Sequence, residues 1–276
     1  MSETRIHPSA VVENGAQLGL GVEIGPFCHI GPEVVLGDGV KLAGHVSVTG
    51  ATTVGPGTQA QAFAALGGPP QDKKYKGGPT RLVIGANCDI RESVTMHRGT
   101  EHGGGCTSVG DNGFFLAYSH VAHDCIVGDN VTLTHGATLG GHCEIGDGVI
   151  IGGLSAVHQF VRIGHHAFVA GMAAVVGDVI PYGMAVGNRA TLRGFNIVGL
   201  KRAGMSRADL AAMRAAYRRI FAPGHTVEEN IDAVRAEFAG SAVVMDIVDF
   251  LTSRGKRHFT VPALDDRDDA AGNGGH

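Results

Sequence analysis

Several histidines, one of them followed directly by an aspartate, lie in the middle of the chain. They are His120, His123 with Asp124, His142, and His158 with Gln159 beside it. Neutral imidazoles can bind zinc, and an imidazole oriented by a carboxylate can act as a general base. Either chemistry requires that these side chains meet in space, so the elements that carry them decide what they can do.

The segment that carries these residues repeats an aliphatic side chain every six positions. The repeat consists of Val121, Val127, Leu133, Leu139, Ile145, Ile151, Val157 and Ile163. Such a period is typical of a parallel β-helix, in which each hexad forms one side of a coil and three hexads close a triangular turn. Residues about eighteen apart then stack, which predicts that His123, His142 and His158 lie on one ridge.

The same period extends over most of the chain. Eleven hexads begin at Ile6, three at Ile84 and twelve at Val109, which makes 26 hexads or between eight and nine coils. At roughly 4.8 Å per coil, the prism would be about 40 Å long. The first and fifth positions of a hexad point inward, so Asp124 and the three histidines of the ridge are predicted to point outward or to sit at corners.

Cysteine occupies the fifth position of several hexads. Cys28, Cys88, Cys125 and Cys143 are therefore predicted to be buried fillers, and Cys106, predicted to lie in a loop, is the only cysteine that could be exposed. Glycine often follows the aliphatic residue, where tight packing or a positive φ at a corner would favour it.

Composition divides the chain into three parts. Residues 1–190 are predicted to form the hexapeptide prism, with loops near 67–83 and 97–108 where the aliphatic period is lost. Helical spacing over 191–256, with Ser206 and Thr226 as N-caps, predicts a C-terminal helical domain. Residues 257–276 are predicted to be a disordered tail.

Charge and hydropathy exclude some classes of function. A net charge of -4 and a pI near 6.4 argue against broad nucleic-acid binding. The N-terminus has no apolar core like a signal peptide, and no segment approaches the roughly 20 apolar residues that span a bilayer. We therefore expect a cytoplasmic protein without stable membrane insertion.

The motifs as a set resemble the UDP-N-acetylglucosamine O-acyltransferases, which catalyse the first step of lipid A synthesis. They are Ile-His-Pro-Ser-Ala at 6–10, Gln-Asp-Lys-Lys-Tyr at 71–75, Arg-Glu-Ser-Val-Thr-Met-His-Arg-Gly-Thr at 91–100, His-Val-Ala-His-Asp-Cys at 120–125, Gly-Gly at 152–153, Val-His-Gln-Phe at 157–160 and Asn-Ile-Val-Gly-Leu-Lys-Arg at 196–202. The resemblance covers nearly the whole chain except the tail. It implies a left-handed parallel β-helix with a C-terminal α-helical domain, and a homotrimer with active sites between neighbouring prisms.

The resemblance also implies a reaction. An (R)-3-hydroxyacyl group would pass from the phosphopantetheine thioester of acyl carrier protein to the 3-hydroxyl of UDP-N-acetylglucosamine, with no metal or other cofactor. His123 would be the general base, Asp124 would orient it, and the backbone N–H of Gly141 would stabilise the oxyanion. No covalent acyl-enzyme is expected, and the bacterium would be of Gram-negative type.

The remaining site residues follow from the same resemblance. His120, His142, His158 and Gln159 would line the sugar and thioester region, and Asp72 and Lys74 would hold the sugar and phosphates. Asn196 and Arg202 would contact the nucleotide or the carrier protein. Gly171 would end the acyl-chain groove, and the missing side chain predicts a preference for longer chains.

The chain departs from the family's pattern at Ala203, where a second arginine is common, at Val198, where an acidic residue is common, and at Arg189, where a histidine is common. Three other functions stay open. A trimeric γ-type carbonic anhydrase would bind zinc through outward histidines, a scaffold would bind carrier protein without catalysis, and a sister enzyme would N-acylate a glucosamine. The sequence does not distinguish a 3-hydroxyl from a 3-amino acceptor.

Overall fold

Short parallel strands make up most of the protein. A computed structural model describes residues 3–253 and 258–263. Its strands are β1 (Arg5–Ile6), β2 (Val11–Val12), β3 (Gln17–Leu18), β4 (Glu23–Ile24), β5 (His29–Ile30), β6 (Val35–Leu36), β7 (Lys41–Leu42), β8 (Ser47–Val48), β9 (Ala51–Val54), β10 (Gln59–Ala60), β11 (Ala65–Gly68), β12 (Arg81–Ile84), β13 (Asp89–Ile90), β14 (Thr95–His97), β15 (Cys106–Val109), β16 (Phe114–Phe115), β17 (His120–Val121), β18 (Ile126–Val127), β19 (Thr132–Leu133), β20 (Thr138–Leu139), β21 (Glu144–Ile145), β22 (Ile150–Ile151), β23 (Ala156–Val157), β24 (Arg162–Ile163), β25 (Phe168–Val169), β26 (Ala174–Val175), β27 (Gly183–Val186) and β28 (Thr191–Phe195).

Three sheets form the faces of the prism, and every third strand belongs to the same face. The first face runs from β1 through β4 to β25, β27 and β28, the second from β2 to β26, and the third from β3 to β24. Each of the first 26 strands carries one of the predicted aliphatic positions, so the hexad assignment is confirmed. Val121 pairs with Leu139 and Leu139 with Val157, eighteen residues apart. The fold is the expected left-handed parallel β-helix.

Two corner rules explain where glycine and positive φ occur. A Cβ on Gly146, which follows Ile145, would lie 2.5 Å from the backbone nitrogen of His165 in the next coil, so this position needs glycine for close packing. Positive φ falls instead on the third residue after the aliphatic, as at Asp124 (59°) and His142 (61°). Of the two reasons offered for glycine after the aliphatic residue, tight packing is correct at Gly146.

The interior is filled as the hexads predict. The aliphatic positions from Ile24 to Val175 are buried, and Cys28, Cys88, Cys125 and Cys143 are buried among them, which confirms their role as fillers. Cys106 differs from the prediction, because it lies on β15 rather than in a loop, and it is half-buried.

Two coils are longer than the rest, and their extra residues leave the prism as loops. Ala60 pairs with Ile90 across 30 residues, and Ile90 pairs with Phe115 across 25. The segments between the flanking strands are 69–80 and 98–105, each shorter than the predicted loop because β11, β12, β14 and β15 extend into the predicted range. Both segments project next to the histidine ridge.

The end of the prism is capped by an antiparallel hairpin and four helices. Strand β28 pairs with β27, so the sheet of the first face extends past the predicted boundary at 190. The helices are α1 (Ile197–Arg202), α2 (Arg207–Ile220), α3 (Val227–Glu237) and α4 (Ala242–Thr252). Ser206 caps α2, and Thr226 forms a capping box with Glu229 at α3, as the sequence predicts.

The segment 258–263 returns to the prism. Phe259 bridges Asp178, and the backbone N–H of Leu192 donates to the carbonyl of Val261 at 3.0 Å. This part of the predicted tail is therefore hydrogen-bonded to the body of the protein, and the remainder, 257 and 264–276, lies outside the described residues. No helix within 3–253 and 258–263 combines the length and apolarity needed to cross a bilayer.

Candidate active site

His123 and Asp124 form a hydrogen-bonded pair at the corner where the second face turns into the third. Nδ1 of His123 lies 2.9 Å from Oδ2 of Asp124. An ionised carboxylate can only accept, so Nδ1 carries the hydrogen and Nε2 keeps its lone pair. The side chain of His123 is 12% exposed, and among the described residues its Nε2 has no hydrogen-bond partner. The pair therefore presents a basic nitrogen at the surface of the prism.

Asp124 sits at a corner of the prism, as predicted, yet its side chain is shielded from solvent. Its side chain is only 1% exposed because the loop 98–105 folds over it. The backbone N–H of Thr100 donates to Oδ1 at 2.9 Å and to Oδ2 at 3.1 Å, and the Thr100 hydroxyl donates to Oδ2 at 2.7 Å. A Cβ on Gly103 would clash with the carboxylate, and one on Gly99 would lie 2.8 Å from Oδ1, so both glycines allow this approach. The loop desolvates and immobilises the carboxylate.

His142 completes the cluster one coil further along. Its ring meets that of His123 edge to face at 5.1 Å, stacks on Phe160 at 4.4 Å, and places Nε2 3.8 Å from Oδ2 of Asp124. Burial lowers the pKa of His142, so the ring is neutral near pH 7. His123, Asp124 and His142 hold potential metal ligand atoms within 4.8 Å of one another. A cation using Asp124 would compete with the hydrogen bonds from Thr100 and His123.

Gly141 lies directly against the imidazole of His123. A Cβ at this position would lie 2.5 Å from Cε1, 2.7 Å from Nε2 and 3.1 Å from Nδ1 of that ring. Gly141 is buried, and within the described part of the chain its backbone N–H has no hydrogen-bond partner. Gly141 therefore offers a backbone donor on a residue that lies against the imidazole of His123.

His120 lies on the same face as His123 and is more deeply enclosed. Its Nδ1 is 2.7 Å from the hydroxyl of Thr95, and its ring meets that of His97 edge to face at 5.0 Å. Burial, with smaller contributions from His97 and His123, lowers the pKa of His120 to about 4. His120 is therefore an uncharged hydrogen-bonding group at neutral pH.

Asp72 and Lys74 lie on the loop 69–80, next to the cluster. Asp72 accepts from the backbone N–H of Lys74 at 2.8 Å, and its other oxygen is 3.0 Å from Nε2 of His102. The Lys74 N–H, and then His102 and His123, hold the pKa of Asp72 below its ordinary value against the effect of desolvation. The side chain of Lys74 is exposed.

The other predicted site residues do not join this cluster within one subunit. His158 and Gln159 are exposed, and Nδ1 of His158 is 3.1 Å from the carbonyl oxygen of Gln159. Asn196 caps α1 by accepting from the N–H of Gly199 at 3.1 Å, and Arg202 is exposed in the last turn of that helix. Gly171 is exposed at a different corner, between the first and second faces.

The sequence pattern assigns no role to three residues at the site, of which only Thr100 belongs to a motif named above. Thr100, Glu101 and His102 lie in the loop 98–105, where the hexad period gives no position and hence no direction for a side chain. The glycines at 99 and 103–105 gave the only sequence signal, because such a run marks a backbone able to approach another group closely.

Comparison with known proteins identifies the family of the chain. Residues 178–260 match a family model described as Udp N-acetylglucosamine O-acyltransferase, domain 2. An acyl-[acyl-carrier-protein]--UDP-N-acetylglucosamine O-acyltransferase of Mesorhizobium japonicum is 63% identical, over 97% of this chain and 98% of the relative.

Solved structures extend the similarity to the fold. The UDP-N-acetylglucosamine acyltransferase of Francisella novicida superposes with a TM-score of 0.91 at 34% identity, over 98% of this chain and 100% of the other. LpxA of Acinetobacter baumannii gives a TM-score of 0.89 at 37% identity, over 94% and 99%. The chain therefore belongs to the UDP-N-acetylglucosamine O-acyltransferase family.

Proposed function

We propose that the protein transfers an (R)-3-hydroxyacyl group from acyl carrier protein to the 3-hydroxyl of UDP-N-acetylglucosamine, the first step of lipid A synthesis. The observation that carries the proposal is the His123–Asp124 pair, in which a buried carboxylate fixes the tautomer and leaves Nε2 available as a base. Family membership supplies the two substrates, and the pair supplies the chemistry that joins them.

The reaction needs one proton relay. Nε2 of His123 takes the proton of the sugar 3-hydroxyl as that oxygen attacks the thioester carbonyl. The backbone N–H of Gly141 donates to the oxyanion of the tetrahedral intermediate, and such donors are typically worth about 3 kcal/mol of barrier. The intermediate collapses and expels the phosphopantetheine thiolate, which takes the proton from the imidazolium. Asp124 stabilises the imidazolium, and no metal or other cofactor enters these steps.

The neutral histidines around the base suit the polar, uncharged sugar of the proposed acceptor. His120 and His142 stay unprotonated at neutral pH, so they can accept or donate hydrogen bonds without raising the charge next to the base. Asp72, close to His123, would accept from a sugar hydroxyl, and Lys74 would meet a phosphate. His158, Gln159, Asn196 and Arg202 remain proposed contacts to the thioester, the nucleotide or the carrier protein.

We propose a homotrimer because one prism alone leaves apolar surface uncovered. The corner between the first and second faces exposes a row of apolar side chains, Phe27, Phe63, Tyr118, Leu154 and Met172. A neighbouring prism packed against this corner would cover it. It would also bring Gly171 of one subunit toward the His123 corner of another, as an acyl groove between subunits requires. Because both proposed substrates are cytoplasmic molecules, we also propose a cytoplasmic location.

The test is an acyl-transfer assay with purified protein, UDP-N-acetylglucosamine and 3-hydroxyacyl carrier protein, in which mass spectrometry identifies the acylated sugar nucleotide. We expect turnover by the wild type, and a loss on the order of 100-fold or more in kcat for His123→Ala with the fold intact. Near wild-type turnover by His123→Ala would contradict the mechanism.

Two further measurements separate the rival functions. A 3-amino sugar nucleotide offered in competition decides between O- and N-acylation. Stoichiometric tightly bound zinc together with CO₂ hydration would instead favour a carbonic anhydrase.

A further inference from the structure

Three consecutive residues of the loop 98–105 hold both halves of the site. Thr100 donates three contacts to the carboxylate of Asp124, as described above. The next residue, Glu101, accepts at Oε1 from the backbone N–H of Gly78 at 2.6 Å and of Lys76 at 3.2 Å. His102, the third, places Nε2 3.0 Å from Oδ2 of Asp72. One short segment therefore contacts the catalytic pair on one side and the loop 69–80 on the other.

The two sides of this segment differ in burial, and burial decides how each contact acts. Thr100 is fully buried, so its hydrogen bonds to a desolvated carboxylate are strong and fix one geometry. Glu101 and His102 are exposed, so their contacts are individually weak. Their effect is collective, because two backbone donors and one side chain restrain the same loop, and Gly78 is close enough to Glu101 that any Cβ would clash with the carboxylate.

We propose that Thr100, Glu101 and His102 are positioning residues that act as a clasp. Thr100 holds Asp124 in the orientation that the base requires, and Glu101 with His102 preorganises the loop 69–80, which carries Asp72 and Lys74. This proposal rests on the proposed function, since it assigns that loop to the sugar nucleotide. The clasp ties the geometry of the base to the geometry of the binding loop through a single segment.

The two sides of the clasp, Thr100 and Glu101, should affect different kinetic constants. Thr100→Val keeps the shape but removes the hydroxyl, so we expect kcat to fall about tenfold, the scale of one hydrogen bond to a charged group, with KM unchanged. Glu101→Ala frees the loop 69–80, so the KM for UDP-N-acetylglucosamine should rise. If the loop 69–80 holds its binding conformation only about a tenth of the time, the apparent KM for UDP-N-acetylglucosamine rises about tenfold. In that variant kcat should stay within about twofold of wild type.

Conservative variants and a matched control separate positioning from general stability. Thr100→Ser and Glu101→Gln keep an oxygen in place and should restore most of each loss, and His102→Ala should resemble a weaker Glu101→Ala. Asp232→Ala removes an exposed carboxylate from α3, among the C-terminal helices, and should change neither constant. If Thr100→Val and Glu101→Ala each lowered kcat and raised KM to a similar extent, the proposed clasp would be overturned.

Hydrogen exchange tests the clasp without relying on turnover. Glu101→Ala should speed amide exchange in peptides covering 72–80 and leave peptides covering 120–125 as protected as in the wild type. Unchanged exchange over 72–80 would overturn the proposal. A wild type that transfers no acyl group would refute the proposed function instead, and the exchange rates would still decide whether Glu101 restrains the loop 69–80.

Discussion

Gly141→Ala is the sharpest test of the site, because it places one methyl group against the ring of the proposed base. The new Cβ would lie 2.5 Å from Cε1 and 2.7 Å from Nε2 of His123. Ordinary contacts between such atoms are near 3.5 Å, so the ring must retreat by about 1 Å. The backbone of Gly141 belongs to a coil fixed on both sides by parallel pairing, whereas the imidazole can move by turning about its side-chain bonds, at the expense of its hydrogen bond to Asp124. The ring is therefore the group that moves.

The expected loss follows from that displacement. A ring turned away from its position lengthens the 2.9 Å hydrogen bond from Nδ1 to Asp124, and a hydrogen bond to a charged group is worth about 1.5 to 3 kcal/mol. A misplacement of about 1 Å at a catalytic group can cost 100-fold. Both estimates agree on a fall in kcat of roughly 10- to 100-fold, with the KM for the sugar nucleotide changed much less.

Steady-state acyl transfer on the purified variant measures this effect, and thermal unfolding controls for damage to the fold. Gly31→Ala is the matched control, because its Cβ would meet nothing closer than 3.4 Å within the same prism. We expect both variants to unfold near the wild-type temperature and only Gly141→Ala to lose activity. A Gly141→Ala enzyme with kcat within twofold of wild type would show that the position of the His123 ring does not limit the reaction.

Three other predictions follow from the site. Asp124→Asn should lower kcat by roughly tenfold, less than the loss in His123→Ala, because the shape survives while the charge that stabilises the imidazolium is lost; a larger loss than His123→Ala would contradict this order. The ring of His120 should titrate in NMR spectra with a midpoint of about 4, whereas in the unfolded chain it takes up its proton near the ordinary imidazole pKa of about 6.5. Protonation of His120 should therefore favour unfolding as the pH falls from about 6.5 to about 4. A midpoint above 6 would refute the burial of His120. Wild type should prefer 3-hydroxymyristoyl over 3-hydroxydecanoyl carrier protein, and Gly171→Met should reverse that preference, since each buried methylene is worth about 0.8 kcal/mol; an unchanged preference in the variant would remove Gly171 as the limit of the groove.

The sequence predicts the prism well because its signal is local and repeated. An aliphatic residue every sixth position places 26 strands on three faces, and the fifth position identifies four cysteines as interior residues. The stacking of His142 on the coil of His123 follows from the same arithmetic. These features depend only on spacing along the chain.

Features that depend on the loops could not be predicted in this way. Asp124 occupies a corner position that the hexad places outside, and only the return of the loop 98–105 buries it. The hydrogen bond from Thr100 to Asp124 joins a loop residue, outside the hexad repeat, to a residue within it, so the repeat cannot predict their contact. Likewise, the return of 258–263 to the prism depends on backbone hydrogen bonds, which leave no pattern in side-chain type.

The constant coil length of the prism restricts how such a chain can change in evolution. Duplication of eighteen residues adds one complete coil and leaves every column of side chains in line, whereas deletion of one residue would turn each later aliphatic away from the interior. Extra residues of any other number survive only where they leave the prism altogether. In this protein, two such departures, 69–80 and 98–105, surround the histidine cluster. The rigid repeat thus confines insertions to a few points along its length, and the candidate active site lies beside two of them.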